Sequence, residues 1–202
     1  MNKRSFIGKT KEEAIKLATE GLNANIDEII IIEKNSKKGL FNKKYEIEAI
    51  TKYDLNNEIK SFLLNTVKNM GMDAKIEVKT RDDSPIFNLI TNESSILIGK
   101  NGRTIEALQI LALHMIEKDT NSYYRFTVDV NDYRQKRRNR LEKLAKITAK
   151  DVARSKQEVK LDPMNAFDRR IIHNALTDSK DVYTESIGEE PNRCVVIKSK
   201  EE

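Results

Sequence analysis

Gly99-Lys100-Asn101-Gly102 has a glycine at each end and a cation inside, with Arg103 directly behind it. Glycines on both sides of a tight turn let the backbone approach a sugar-phosphate chain without a Cβ in the way. A helix beginning behind the turn aims its first N–H groups at anionic oxygens. A lone Gly-x-x-Gly is also an ordinary helix–helix turn, so its neighbours must decide. A nucleotide P-loop is disfavoured, because Gly102 is followed by Arg103-Thr104 instead of Lys-Ser or Lys-Thr. A second pair, Arg169 and His173, lies four residues apart and projects from one face of a helix. Arg offers a planar fork of donors to phosphate, and His donates fully once protonated. Taken alone, such a pair is more often a surface arginine and a histidine satisfying a local carbonyl.

The third feature is a charge stripe. The net charge is only +5, yet residues 131 to 160 hold 11 Lys and Arg against 4 Asp and Glu, so the basic excess is concentrated there. Arg134, Arg137, Arg138 and Arg140 fall within seven residues with no acid between them. Long helices often carry solvated charges in i, i+4 pairs, but here acids are too few to pair them. A concentrated stripe is an electrostatic footprint for polyanions. Tyr123, Tyr124 and Tyr133 flank it and could stack bases, although core packing is the more ordinary fate.

What the composition excludes narrows the chemistry. One Cys cannot form an internal disulfide, and one Cys with two His cannot supply a zinc tetrad. No metal or other cofactor is expected. Cys194, beside Val195 in an expected strand, reads as a buried inert thiol, and His114 as structural. No apolar run is long enough for a membrane helix, and the start lacks a signal-peptide h-region, so a cytoplasmic protein with no integral membrane segment is expected.

The elements that must position these residues form three segments. Thr10 and Glu13 suggest a capping box for a helix with Ala14, Leu17, Ala18 and Leu22 on one face. Strands are expected over residues 26–33 and 45–50, on either side of Lys37-Lys38-Gly39-Leu40-Phe41. A helix from Leu55 to Met70 should stop at Gly71. Strands at 74–79 and 86–90 should form an antiparallel pair around Arg81-Asp82-Asp83-Ser84-Pro85. A short helix, the Gly-x-x-Gly turn, a helix bearing Ile105, Leu108, Leu111, Ala112, Met115 and Ile116, and a strand at 123–130 complete that segment. Last come the basic helix over 132–157, a helix over 165–176, and a hairpin of 182–187 with 194–198.

Helix, strand, strand, short helix, Gly-x-x-Gly, helix, strand resembles a type II KH domain, which clamps about four nucleotides of single strand. The resemblance puts the RNA contacts on Gly99, Lys100, Asn101, Gly102 and Arg103, over an apolar floor of Ile96, Leu97, Ile98 and Ile105. Arg169-Arg170-Ile171-Ile172-His173, with the later Ser186-x-Gly188-x-x-Pro191-x-Arg193-x-Val195-x-Ile197, resembles the Arg-x-x-x-His (R-three-H) domain of single-stranded nucleic-acid binders. It implies contacts at Arg169, His173 and Arg193, which the stripe would extend through Arg134, Arg137 and Arg138. Lys9 to Ile15 with Lys37-Lys38-Gly39-Leu40-Phe41 resembles the Jag N-terminal domain, although Asn42 stands where that family usually has Gly.

The three units in this order resemble the bacterial Jag family, also called KhpB or EloR. The expected class is α+β, with three small α/β units linked by a long basic helix. Their bounds are 1–53 (Jag N-terminal), 54–131 (type II KH) and 132–202 (Arg-x-x-x-His). The expected function is single-stranded RNA binding without catalysis. The resemblance adds an RNA chaperone or regulatory role tied to cell elongation and peptidoglycan, and a smaller KH-only partner. Lys37 to Phe41 would be a contact for a protein partner. Single-stranded DNA as ligand and self-association as a homodimer stay open. Two rivals are a nuclease using His173, which lacks a second proton-transfer group, and a membrane-docked adaptor whose nucleic-acid binding is incidental.

Overall fold

The computed structural model describes residues 1–34 and 44–200. The expected partner contact at Lys37, Lys38, Gly39, Leu40 and Phe41, with Asn42, lies outside them. Two compact units divide the chain, Met1–Asn131 and Asp132–Glu202. Among the described residues two three-stranded sheets fall in the first unit and one in the second, each packed against helices, and the class is α+β.

The first unit begins with β1 (Arg4–Gly8), α1 (Lys11–Leu22), β2 (Ile29–Glu33) and β3 (Tyr45–Thr51), an antiparallel sheet in the order β1-β3-β2. The small residues Ala14 and Ala18 let α1 settle on Ile29, Ile47 and Ala49. Thr10 caps the helix by accepting from the Glu13 N–H at 3.2 Å. The reciprocal half of the capping box is shifted by one residue, since the Glu13 carboxylate accepts from the Lys9 N–H at 2.6 Å. β3 then runs without a loop into α2 (Lys52–Asn69), whose N–H at Asp54 is capped by Thr51 at 3.0 Å. Leu55, Ile59, Leu63 and Val67 recur every four residues and are buried. Gly71, with φ of 80°, ends the helix where the sequence places a C′ glycine.

The second sheet contains β4 (Lys75–Arg81), β5 (Ser84–Ile90) and β6 (Thr127–Val130) in the order β4-β5-β6. Asp82 and Asp83 both have positive φ, the backbone of a two-residue hairpin turn, so β4 and β5 are antiparallel. β6 pairs with β5 in parallel, which requires a crossover. That crossover is α3 (Ser94–Ile98), the Gly-x-x-Gly turn and α4 (Arg103–Thr120). Phe87 meets Phe126 edge-on at 5.8 Å in the core.

The second unit consists of α5 (Tyr133–Ser155), β7 (Val159–Lys160), α6 (Ala166–Leu176), β8 (Val182–Ile187) and β9 (Cys194–Ser199), with an antiparallel sheet ordered β7-β9-β8. α5 is the expected long basic helix, and it also belongs to this unit's core. Leu141, Ala145, Ala149 and Val152 pack with Ile171, Ile172, Val195 and Ile197. Cys194 is buried, as its apolar neighbours suggest. Among the described residues no helix is long and apolar enough to cross a membrane.

Candidate nucleic-acid interface

The turn between α3 and α4 has backbone angles that few residues tolerate. Gly99 has φ 70° and ψ 179°, Asn101 has φ 56°, and Gly102 has φ 83°. Asn is among the few side chains that accept such a φ. Gly99 has a second constraint, because a Cβ there would lie 2.2 Å from Thr104 Oγ1. Hydrogen bonds from Gly99 N to Ser95 O (3.0 Å) and from Gly102 N to Gly99 O (3.3 Å) close the turn. Lys100 and Arg103 are exposed on it. Leu97 and Ile105 are fixed beneath, the latter 2% exposed. Of the expected apolar floor, Ile96 is exposed and Ile98 half-buried, whereas Leu97 and Ile105 are core residues. The buried pair therefore holds up the turn without lining its surface.

In the second unit the Arg-x-x-x-His pair is engaged internally. Arg169 is buried, and its Nη1 donates to Met164 O at 2.8 Å and to Glu190 Oε1 at 2.7 Å. His173 Nδ1 lies 2.6 Å from Thr184 Oγ1 and its Nε2 lies 2.8 Å from Ser186 Oγ. Hydroxyls donate or accept, so either neutral tautomer is satisfied. Burial pushes the imidazole pKa below its ordinary value, and the nearby Arg169 charge adds to that. Arg137 likewise has an internal carboxylate, with Nε 3.1 Å and Nη2 3.0 Å from Asp168 Oδ2. Asp168 is itself buried in the first turn of α6, its N–H held by Asn165 at 2.8 Å.

The remaining expected contacts differ in exposure. Arg138 and Arg193 are exposed and Arg134 is half-buried. Tyr124 is buried, its hydroxyl donating to Asn56 at 2.9 Å, while Tyr123 is exposed and Tyr133 half-buried. His114 stands exposed beside Glu117 at 3.4 Å. Glu190, Thr184, Ser186 and Asp168, the partners of the expected contacts, lie 11 to 31 residues from them in sequence, and spacing does not pair them. Among the described residues no cluster of His, Cys, Asp or Glu could hold a metal ion.

Residues 139–199 match the R-three-H domain family, the Arg-x-x-x-His domain. Along its whole length the chain is 38% identical to the RNA-binding protein KhpB of Clostridium symbiosum, covering 94% of that protein. The chain belongs to the KhpB family. It is also 30% identical to the RNA-binding protein KhpB of Bacillus subtilis (strain 168), over 96% of both chains. With the RNA-binding protein KhpB of Lactiplantibacillus plantarum it shares 39% identity over 67% of this chain and 42% of the relative. The full-length relatives extend the KhpB match across the Gly-x-x-Gly turn, and the R-three-H match takes in most of α5 together with α6, β8 and β9.

Proposed function

We infer that the protein binds single-stranded RNA and catalyses no reaction, with the 99–103 turn acting as the loop of a type II KH domain and residues 132–202 as a second contact, through the R-three-H domain. The observation that carries the reading is the turn itself. Its backbone is held at Gly99 in a conformation that only glycine adopts, it exposes Lys100 and Arg103, and it opens an 18-residue helix. The names of the relatives, all RNA-binding proteins, support the same ligand. A nuclease is a weaker reading, because both ring nitrogens of His173 are held by hydroxyls of the fold.

By family resemblance the bound RNA is cytoplasmic, and the role is that of a chaperone or post-transcriptional regulator linked to cell elongation and peptidoglycan synthesis. A smaller KH-only protein would be its partner. The exposed Ile110 and Leu111, adjacent on α4, offer an apolar surface for a protein contact. The test is the dissociation constant for a labelled unstructured RNA, with and without Mg²⁺, for wild type and for Lys100→Asp with Asn101→Asp. Two carboxylates in the path of phosphates should abolish most of the affinity while the far-ultraviolet melt stays unchanged. RNA that is cleaved, or an unaltered dissociation constant, would remove the reading.

A further inference from the structure

The cations along the middle and end of α5 differ once the helix is packed. Arg137 is held by Asp168, and Arg154 lies 3.4 Å from Asp151. Arg140, Lys143, Lys146 and Lys150 are exposed and have no carboxylate partner among the described residues. Leu141, Ala145, Thr148, Ala149 and Val152 are the buried residues of the helix and fix its inward side. At 3.6 residues per turn Arg140, Lys143, Lys146 and Lys150 occupy an arc of roughly 120° on the outward side and a length of about 15 Å. Their axial steps are about 4.5 and 6 Å, regular enough to meet successive phosphates of an extended strand. Glu142 borders the arc and is half-buried.

We propose that this outward face of α5, Arg140, Lys143, Lys146 and Lys150, is a track for the phosphates of single-stranded RNA, separate from the Arg169 and His173 pair. The proposal rests on the reading of the protein as an RNA binder. Its basis is that these cations have no carboxylate partner among the described residues, whereas Arg169 and Arg137 do. Arg169 and Arg137 already hold carboxylates, so the free positive potential of the unit lies elsewhere. A lipid surface fits the face less well. Its apolar content is Ile147 and Leu144, about half exposed and without an aromatic to anchor in a bilayer.

The experiment compares wild type with Lys143→Gln/Lys146→Gln/Lys150→Gln, using a fluorescent twenty-nucleotide uridine RNA over a range of salt. Gln keeps helix propensity, and exposed sites carry no packing. The control, Lys11→Gln/Lys16→Gln/Arg154→Gln, removes the same formal charge from cations already paired with Glu33, Glu20 and Asp151. Loss of three phosphate contacts should flatten the salt slope by about 2 and weaken binding about a hundredfold at 0.1 M salt, with the control close to wild type. Equal losses in both triple variants would show a net-charge effect and overturn the proposal. So would a wild-type slope in the α5 variant while the Lys100 and Asn101 double variant loses affinity, an outcome that leaves the proposed function standing. Wild type that binds phosphatidylglycerol vesicles through these lysines, and RNA without them, would assign the face to a membrane. Failure of wild type to bind RNA at all would overturn both readings.

Discussion

Arg169 Nη1 lies 2.7 Å from Glu190 Oε1, so the motif arginine of the second unit already holds an anion of the protein's own. The two partners differ in exposure: the guanidinium side chain is 9% exposed and the carboxylate 58%. An incoming phosphate would compete with a side chain that can swing into water.

Glu190→Gln tests that competition. It keeps an acceptor oxygen for Arg169 and removes the charge, so RNA affinity should rise by about fivefold at 0.1 M salt, with a salt slope steeper by about 0.7, the value of one phosphate contact. Equilibrium titration at several salt concentrations reads both. A weaker complex would mean that Glu190 positions the arginine instead of masking it.

Arg137→Ala should act on stability before affinity. It leaves the Asp168 carboxylate buried and unpaired, which costs about 3 kcal/mol for such a pair. Because the chain has two units, the readout is hydrogen exchange of α6, β8 and β9 amides in the full-length protein, where protection should fall while the first unit keeps its own. Unchanged protection with weakened RNA binding would return Arg137 to the role of a phosphate contact.

His173 sets a pH dependence with a definite sign. Its folded pKa lies below the ordinary imidazole value, so the unfolded chain takes up its proton first on acidification. The stability contributed by the neutral ring is fully present above about pH 6.5, the unfolded value, and is lost as pH falls through the lower folded value. Protection of the second unit should therefore decline between pH 7 and 5, and His173→Gln should flatten that decline. If phosphate binding recruits the protonated ring, RNA affinity should strengthen over the same interval.

Gly99→Ala should be worse than Gly102→Ala. At φ 70° and ψ 179° Gly99 occupies a region closed to other residues, and its Cβ would meet Thr104 at 2.2 Å. Gly102, at φ 83° and ψ 11°, is near the left-handed region, where Ala costs about 1 kcal/mol. The first change should lower protection across residues 96–108 and RNA affinity together, the second far less. Equal effects would deny Gly99 its particular role.

Local conformational signals were legible in the sequence, and long-range partners were not. Gly71, the Asp82-Asp83 turn and the Gly-x-x-Gly each demand a backbone shape that few residues adopt, and each is where the spacing puts it. β1 and β7 were not anticipated. β1 carries Arg4 and Ser5 with little alternation and exists through its pairing with β3, while β7 is two residues held by β9. The strand expected at 123–130 begins only at Thr127, Tyr124 being turned inward to Asn56. Arg169 and His173 were visible as a pair, but Glu190, Thr184 and Ser186 lie 11 to 21 residues away, and nothing in their spacing says that they hydrogen-bond to it.

The parallel pairing of β5 with β6 sets an order of events during synthesis. The β4–β5 hairpin closes across two residues, but β6 joins only after everything from residue 91 to 126 has left the ribosome. Loop closure makes such non-local pairing slow compared with a hairpin. The Gly99 turn sits inside that crossover, so although its own hydrogen bonds are local, the sheet that the crossover packs on is completed only when β6 pairs.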